Sequence, residues 1–360
     1  MKKTLRTFNT LIKSNIGESH PHGSAKKGNK IYYTTRTSPA KLVEVTLLDD
    51  TISTRSITLH GNKGESIAIH GNYAFVPTDE YLNVVDLSTL SIVHYYSTYD
   101  LLPDLHWAET RLAENTVVTP DGYLFVGWTL RYVVEDVLAK FKIKEDGDVE
   151  LVDKVILEGK GSCHAMRYYN GYIYAGQGYN PEAAAEYPDR VRKITKDLKV
   201  VKTVRLHDSL GVIVGSTDDL SICNGKIYII PEFDHRLVIF DQDLNIVKSM
   251  VLPSPDPDPN APFFGGMGND VLNDRYVIIG PTEKTTTLYV VDSTDDSLEL
   301  VECGFSWGEE VTVIDNKIAM VNWDGDFILG YLEEEMTKTL QIESIPKSKV
   351  YVDGVYAGLT

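Results

Sequence analysis

Acidic and imidazole side chains recur at one position of a repeated pattern in this sequence of 360 residues. The position lies six residues before a dipeptide of Gly, Asn or Asp, and five of the seven repeats have His, Asp or Glu there. The sixth repeat has Met267 at this position, and Asn269 supplies its polar side chain. The predicted ring comprises His22, Glu65, Asn115, His164, Asp218, Asn269 and Glu309.

Carboxylates, amides and imidazoles that converge on one axis can hold a divalent cation. Oxygen ligands suit calcium or magnesium, whereas imidazole nitrogen suits a transition metal. The candidate metal ligands are Glu65, His164, Asp218 and Glu309, and the candidate catalytic residues are His164 and Glu309. Alternatively, the ring lines a narrow hydrated channel and its polar groups bind only water. The sequence leaves both interpretations open.

Aromatic residues cluster in the segments that lead into the same repeated position. Trp107 and Trp307 each lie two residues before a glutamate, Glu109 and Glu309. Exposed aromatic side chains could stack on a sugar ring or anchor a protein partner, because Tyr and Trp give a large contact area at low entropy cost. They could equally fill gaps between neighbouring structural units. The candidate binding residues are Tyr95, Tyr96, Trp107, Phe263, Phe264 and Trp307.

The charge of the chain disfavours two classes of partner. There are 35 Lys and Arg against 52 Asp and Glu, which gives a net charge of −17. Nucleic acids and anionic membranes are bound mainly by basic side chains, so neither is expected as a partner. The chain has no apolar run typical of a secretory signal and no membrane-spanning segment. We therefore expect a cytoplasmic or virion-associated protein rather than a secreted one.

The three cysteines do not have the spacing of a reactive or metal-binding set. Cys163, Cys223 and Cys303 lie far apart, with no C-x-x-C pair. They fit neither a zinc signature nor a disulfide framework. We expect them to be buried as small apolar residues.

The dipeptides themselves predict regularly spaced hairpins. They recur at intervals of 43, 50, 49, 54, 49 and 42 residues. Gly, Asn and Asp tolerate the positive φ angles of a two-residue type I′ turn. An apolar run such as KIYYT or YIYAG follows each dipeptide, as is typical of strands covered on both faces. The predicted turns are Gly28-Asn29, Gly71-Asn72, Asp121-Gly122, Asn170-Gly171, Asn224-Gly225, Asn273-Asp274 and Asp315-Asn316.

Further apolar runs in most repeats give each unit four strands. Seven such units predict an all-β fold, a seven-bladed β-propeller of four-stranded antiparallel blades around a central channel. No segment keeps a helical apolar period long enough for the crossover helices of α/β units. The best helix candidate, 181–197, is interrupted by Pro188 and is expected to be a loop in blade four. The predicted blades span 24–60, 61–98, 106–157, 160–206, 214–252, 266–303 and 306–335.

The repeat also resembles known propeller repeats. The segment NGKIYIIPEFDHRLVIFDQDLNIVKSMVL (224–252) is similar to the blade repeat of YVTN-type and quinoprotein-dehydrogenase-like propellers. The signature residues of WD-repeat and kelch proteins do not occur at matching positions. Because this superfamily contains enzymes, scaffolds and lectin-like binders, the resemblance implies a fold and not one function. Its lactonases and streptogramin lyases place Glu, Asn, Asp and His in their channels, and the predicted ring resembles such a site.

A second resemblance concerns the C-terminal segment. TLQIESIPKSKVYVDGVYAGLT (339–360) is similar to the opening part of a PEGA domain, with Ser344, Pro346 and the VYVDG hairpin in place. The sequence KSK replaces the Glu-Gly-Ala part of the motif. Either the chain is truncated within this domain, or only this part is kept and pairs elsewhere.

The C-terminal resemblance changes how the ring is expected to close. If 339–360 is separate from a propeller of residues 1–338, blade seven retains only three strands. The segment TLRTFNTLIK (4–13) resembles the fourth strands of the other units. We therefore expect residues 4–13 to complete blade seven and to cover its open edge.

Two functions from different classes fit these observations. The favoured one is a non-catalytic recognition or assembly module that binds a glycan or protein partner at one propeller mouth. The PEGA-like segment would add an assembly contact within a surface, envelope or virion-associated complex. The alternative is a metal-dependent hydrolase or lyase with a calcium or magnesium ion in the channel.

Overall fold

Four-stranded antiparallel sheets build most of this molecule. The computed structural model describes residues 5–105, 111–130, 135–159, 163–177, 190–210, 217–231, 236–253, 268–281, 285–335, 349–352 and 355–359. Within these residues there are seven four-stranded sheets and one separate two-stranded hairpin. The innermost strands contact one another in chain order, and the last contacts the first. The sheets therefore close into a seven-bladed β-propeller, as predicted.

The strands follow one another from the channel outwards in six of the blades. Blades one to three comprise β2 (Pro21–Lys27), β3 (Lys30–Thr35), β4 (Lys41–Leu47), β5 (Ile52–Thr58), β6 (Ala68–His70), β7 (Tyr73–Pro77), β8 (Tyr81–Asp86), β9 (Ser91–Ser97), β10 (Arg111–Val118), β11 (Tyr123–Leu130), β12 (Glu135–Ile143) and β13 (Val149–Glu158). Blades four to six comprise β14 (Ala165–Tyr169), β15 (Tyr172–Gly176), β16 (Arg190–Thr195), β17 (Val200–Arg205), β18 (Thr217–Cys223), β19 (Lys226–Pro231), β20 (Arg236–Phe240), β21 (Ile246–Val251), β22 (Asn269–Leu272), β23 (Tyr276–Ile279), β24 (Thr287–Asp292) and β25 (Ser297–Glu302).

Blade seven draws its strands from both ends of the propeller. It comprises β26 (Glu310–Ile314), β27 (Lys317–Val321), β28 (Asp326–Glu335) and, outermost, β1 (Leu5–Asn15). Strand β1 pairs antiparallel with β28 from Leu5 opposite Glu335 to Asn15 opposite Asp326. The prediction that the N-terminal strand completes blade seven is therefore confirmed.

Helices are few and short in the described part of the chain. They are α1 (Thr98–Leu101), a 3-10 turn (Pro103–Leu105) and α2 (Leu206–Leu210). Among the described residues, no helix has the length and apolar character needed to cross a membrane. The hairpin of β29 (Lys349–Val352) and β30 (Val355–Leu359) lies within the PEGA-like segment.

The expected loop at 181–197 differs from the structure at its C-terminal end. Residues 178–189 lie outside the described residues, but Arg190–Thr195 forms β16, the third strand of blade four. Val191 and Ile194 of this strand are fully buried. Their burial between blades outweighs the helix-like pattern that precedes them in sequence.

The hairpin turns follow the predicted dipeptides but not always the predicted type. Both dipeptide residues have positive φ in blades four, five, six and seven, although the blade-six connection has three residues, 273–275. In blades one and two, only the glycine has positive φ within the described dipeptide, which is typical of a type II′ turn. Blade three has a four-residue connection, 119–122. The dipeptides thus identify where the hairpins lie more reliably than which turn they use.

The core lies between the blades rather than at the channel. Seven clusters of buried apolar residues occupy the seven blade interfaces. In β3, Ile31 and Tyr33 pack towards blade seven, whereas Tyr32 between them packs towards blade two. Successive side chains of a strand point to opposite faces, so a strand between two blades is apolar throughout.

All three cysteines of the chain lie in the described part and are buried. None forms a disulfide there. Burial is the main reason why the pKa of the Cys303 thiol is raised to about 11. A thiol that stays protonated at neutral pH is a weak nucleophile, so the expected structural role of these residues is consistent with their surroundings.

Candidate functional site

A central cavity of about 370 Å³ is walled by the inner strands. These strands approach one another closely where glycine replaces a side chain. A Cβ atom on Gly23 would lie 2.5 Å from the Cα atom of Ser66 on the next blade, and one on Gly268 would lie 2.5 Å from the backbone nitrogen of Val311. Because the clashing atoms belong to the backbone, a larger residue would push the inner strands apart.

Most of the predicted ring residues line this cavity. Six of them do so: His22, Glu65, Asn115, His164, Asn269 and Glu309. Asp218 lies in β18, but its side chain is outside the described residues, and its neighbour Asp219 lines the cavity. The pairing of β18 with β19 shifts register between Thr217 and Asp219. Such a bulge re-aims side chains, which explains how Asp219 comes to face the cavity.

His22 lies between two carboxylates from the neighbouring blades. Its Nδ1 atom is 3.3 Å from Oε2 of Glu65, and its Nε2 atom is 3.9 Å from Oε1 of Glu309. The same Nδ1 atom is 3.1 Å from the backbone oxygen of Glu65. Burial and the nearby Arg36 lower the pKa of His22 to about 4, against the opposing effect of Glu65. His22 is therefore neutral at pH 7 and donates a hydrogen bond without carrying a charge.

Arg36 holds Glu65 from the neighbouring loop. Its Nε and Nη2 atoms lie 2.8 Å and 2.7 Å from Oε2 of Glu65. Burial, the largest single influence, would raise the pKa of Glu65, but Arg36 and the neighbouring imidazoles His22 and His164 together outweigh it, so this pKa falls below its usual range. Glu65 is therefore a buried carboxylate that stays ionised. Its second oxygen, Oε1, has no hydrogen-bond partner among the described residues.

His164 faces the cavity from the opposite side of the ring. Its ring centroid lies 6.5 Å from that of His22, in an edge-on arrangement. Its Nδ1 atom is 3.0 Å from the backbone oxygen of Thr217, and Asn115 donates to its backbone oxygen over 2.7 Å. These contacts tie the inner strands of blades three, four and five together.

The cavity contains further charged residues that the repeat pattern did not reveal. Arg167 donates to Asp219 over 2.9 Å, and Lys26 lies 3.0 Å from Asp270. Glu310 accepts a hydrogen bond of 2.8 Å from Ser24. Burial, followed by the nearby Asp219, raises the pKa of Glu310 well above its usual range. Acidic residues directly after ring positions, as in Glu309-Glu310, are the sequence signal that could have identified three of these groups: Asp219, Asp270 and Glu310.

Metal-binding geometry is not assembled in the described part of the chain. There, no three His, Cys, Asp or Glu side chains come together in a group that could hold a metal ion. Of the four candidate ligands, Glu65, His164 and Glu309 line the cavity, and the side chain of Asp218 is not described. Divalent cations need several ligands at short range, and the candidate ligands remain a prediction because the position of one of the four side chains is not described.

Two tryptophans, Trp307 and Trp323, lie on the loops at the mouth of the cavity. Trp307 stacks on Trp323 with ring centroids 5.8 Å apart and planes 6° apart, and His20 packs edge-on against Trp323 at 4.8 Å. The indole nitrogen of Trp307 donates to Oε2 of Glu309 over 3.0 Å. The tryptophan pair is thereby joined directly to a carboxylate of the cavity wall.

The other predicted aromatic residues have different surroundings. Tyr95 is 54% exposed and stacks on His60 with ring centroids 3.8 Å apart. Tyr96 packs against the core between blades two and three, and its hydroxyl group donates to Asp148. The remaining candidates lie outside the described residues: Trp107, Phe263 and Phe264.

Comparisons with known proteins agree with the repeat architecture. Residues 61–100, which contain blade two, match the family described as LVIVD repeat. The chain is similar to the crystal structure of BamB from Moraxella catarrhalis, with a TM-score of 0.55 and 11% identity over 86% of this chain and 84% of that chain. No curated protein matches the chain. Identity this low shows a shared propeller fold and leaves the function to be argued from the site.

Proposed function

We propose that this chain is a non-catalytic recognition module that binds a protein partner at the mouth of its propeller channel. The supporting observation is the tryptophan pair Trp307 and Trp323 beside Glu309. Aromatic anchors next to a polar, partly enclosed cavity are typical of interface hot spots. The net charge of −17 favours a partner whose contacting surface is basic, because complementary charge accelerates association.

The proposal can be tested by site-specific photo-crosslinking. A photoreactive phenylalanine analogue replaces Trp323 at the channel mouth, and in a matched protein it replaces Asp274 in a hairpin turn at the opposite ends of the inner strands. We expect a specific crosslinked protein from the first position and none from the second. A partner captured equally from both positions, or from neither, would contradict binding at the mouth.

A purified partner allows a quantitative test of the tryptophan pair. We expect Trp323→Ala to weaken its binding by about tenfold or more, since hot-spot aromatic residues contribute about 2 kcal/mol or more. Tyr331→Ala is the matched control, because Tyr331 is 37% exposed on β28, away from the cavity. A glycan array screened with the same proteins tests the sugar partner that the aromatic residues also suggest. A glycan whose binding depends on Trp323 would replace the protein partner in this proposal.

A metal-dependent hydrolase or lyase is the second candidate function. It is favoured by the convergence of Glu65, Glu309, His22 and His164 on one cavity. Metal analysis of the purified protein and thermal unfolding with and without a chelator test it, with His164→Ala and Glu309→Ala as variants. A stoichiometric metal that stabilises the wild type and is lost in both variants would support this function over simple recognition.

The remaining expectations concern family and assembly. We propose that the blades belong to the YVTN-type group, supported by the repeat at 224–252, and that the PEGA-like segment contacts an assembly partner. The hairpin of β29 and β30 is consistent with the β structure of that segment. Deleting 339–360 is expected to leave binding at the mouth intact while abolishing incorporation into a larger complex, as measured by size-exclusion chromatography of cell extracts. Unchanged complex size would contradict the assembly role.

A further inference from the structure

The strongest unexplained feature of the cavity is an unsatisfied carboxylate oxygen. Glu65 is only 4% exposed and lines the cavity. Oε2 is engaged by Arg36, but Oε1 is buried with no hydrogen-bond partner in the described part of the chain. A buried charged acceptor without a donor costs about 1–3 kcal/mol or more, so this oxygen needs a donor that the described residues do not supply. A group bound in the cavity can supply it.

The charge of the cavity indicates the sign of that group. Five acidic side chains line it: Glu65, Asp219, Asp270, Glu309 and Glu310. Glu310 is not counted as a charge, because its pKa is raised well above its usual range. The basic side chains beside them in the described structure are Lys26, Arg167 and Arg36. His22 adds no positive charge, because it is neutral at pH 7. The cavity therefore has an excess of negative charge and favours a cation.

The size of the cavity indicates an organic cation rather than a single ion. A volume of about 370 Å³ is much larger than a metal ion needs. It lies at the lower end of the roughly 300–1,000 Å³ range of small-molecule pockets. A metal ion needs several converging ligands, whereas an ammonium or guanidinium group brings its own donors and can bond to separate acceptors. Such a group suits Oε1 of Glu65, which has no donor among the described residues.

The tryptophan pair offers an apolar surface for the uncharged part of such a ligand. Trp307 is joined to Glu309 at the edge of the cavity, and Trp323 continues the aromatic surface outwards. An alkyl stem can pack along an indole face while its charged end reaches the carboxylates. A cation near a Trp ring also gains about 0.5–2 kcal/mol from the ring quadrupole.

We propose that the cavity binds an alkylammonium or guanidinium group, presented by a lysine or arginine side chain of the protein partner. This inference rests on the proposed function, because it names the group that the partner inserts at the mouth. The charged end donates to Oε1 of Glu65 and to the carboxylate of Glu309. The stem lies against the tryptophan pair.

Calorimetric titration with n-butylguanidinium and n-butylammonium tests the chemistry, with neutral n-butyramide as the control ligand. In about 0.15 M salt, where unspecific surface attraction is screened, we expect the two cations to bind and butyramide not to bind. Glu65→Gln and Glu309→Gln should each weaken binding by about tenfold or more, since a hydrogen bond to a charged group contributes about 1.5–3 kcal/mol. The exposed Glu145→Gln should not change it.

A second arm distinguishes a side chain from a free amine. A short Gly-Ser peptide with one central arginine is compared with its citrulline analogue and with spermidine. The proposal expects the arginine peptide to bind more tightly than both. Tighter binding of spermidine would identify a free polyamine as the ligand and overturn the protein source.

Three results would overturn the inference itself. They are equal binding of butyramide, undiminished cation binding in folded Glu65→Gln and Glu309→Gln proteins, and displacement of the cations by stoichiometric calcium. Circular dichroism establishes that the variants are folded. If the cations fail to bind while crosslinking at Trp323 still captures a partner, recognition at the mouth survives and only the inserted basic group is refuted.

Discussion

The same residue type has opposite properties at different places in the cavity. Arg36 and the nearby imidazoles lower the pKa of Glu65 despite its burial, whereas burial and then Asp219 raise the pKa of Glu310. The neighbouring charge decides the sign because both carboxyl groups lose part of their hydration. At the residue scale, the chemistry of the cavity is therefore set by contacts between blades and not by residue type.

The pKa of His22 should lie far below that of an ordinary histidine. Burial and Arg36 lower its pKa to about 4, so the folded state binds fewer protons than the unfolded state between about pH 4 and 6.5. Stability attributable to this group is present above pH 6.5 and is lost as the pH falls towards 4. We expect NMR of the imidazole signals to give a midpoint near 4, with His22→Asn used for assignment. A midpoint near the usual 6.5 would show that the imidazole is solvated.

Glu310 should reduce stability increasingly as the pH rises. Its raised pKa means that the folded state retains a proton that the unfolded state loses above about pH 4.5, so stability falls with rising pH through that window. The groups facing it are Ser24, Tyr33, Asp219, Glu309 and Arg167. Glu310→Gln removes the titration and is expected to raise the melting temperature at pH 8 more than at pH 4.

Melting curves at several pH values check this expectation for Glu310. Glu145→Gln, on an exposed turn, controls for the general loss of one negative charge. A difference between wild type and Glu310→Gln that stays constant with pH would mean that Glu310 titrates normally.

The sequence identified the ring position but not its full chemistry. Five of the predicted ring residues that line the cavity lie six residues before a hairpin dipeptide, which fixes their distance along the inner strand, whereas Asn269 lies four residues before its dipeptide. Arg36 was missed because it comes from the loop between the second and third strands of blade one, and Asp219 because of a register shift in β18. Such irregularities depend on how neighbouring strands pair, so no repeat pattern in one strand records them.

At the element scale, β1 joins two blades as well as completing one. Ile12 packs into the core between blades seven and one, while Phe8 packs at the interface of blades six and seven. The backbone nitrogen of Arg6 donates to Glu299 on β25 over 2.7 Å. The sequence predicted this strand because its alternation resembles the other outer strands, although its partners come from the far end of the chain.

Neighbouring residues of β1 provide a matched test of its burial. Ile12 is 5% exposed and Leu11 is 48% exposed. We expect Ile12→Ala to lower the free energy of unfolding by about 2–5 kcal/mol, because it leaves a cavity in the core. Leu11→Ala should change it by roughly 0.5 kcal/mol or less. Denaturant unfolding measures both, and similar losses in the two variants would mean that the strand does not hold the described register.

At the scale of the whole molecule, the ring is closed by a backbone ladder within blade seven. Strand β1 continues through Ile16 into blade one, and it is hydrogen-bonded to β28 over its length. Blades seven and one cannot separate without breaking this pairing or stretching the chain between them. The interface between blades seven and one, here called the seam, therefore resists opening more strongly than side-chain packing alone would.

A circular permutant tests the contribution of this closure while keeping the propeller fold. Leu5 lies opposite Glu335, so a turn of about four residues can join them, giving a chain that runs from 16 to 335 and then from 5 to 15. Every strand pairing of the seven blades is retained, and we expect the same propeller with the same cavity. The covalent link from β1 to blade one is lost, which leaves that seam to the apolar cluster around Ile31 and Val321 and to local hydrogen bonds.

Opening between blades seven and one should therefore become easier in the permutant. Compared with residues 5–335 in natural order, amides of β2 and β26 should exchange with deuterium faster, and unfolding in denaturant should accelerate, while amides in blades three to five exchange at similar rates. Hydrogen exchange measured by mass spectrometry resolves these segments. Equal exchange at the seam in both proteins would mean that side-chain packing alone holds the ring closed, and that the N-terminal strand adds no protection beyond completing its blade.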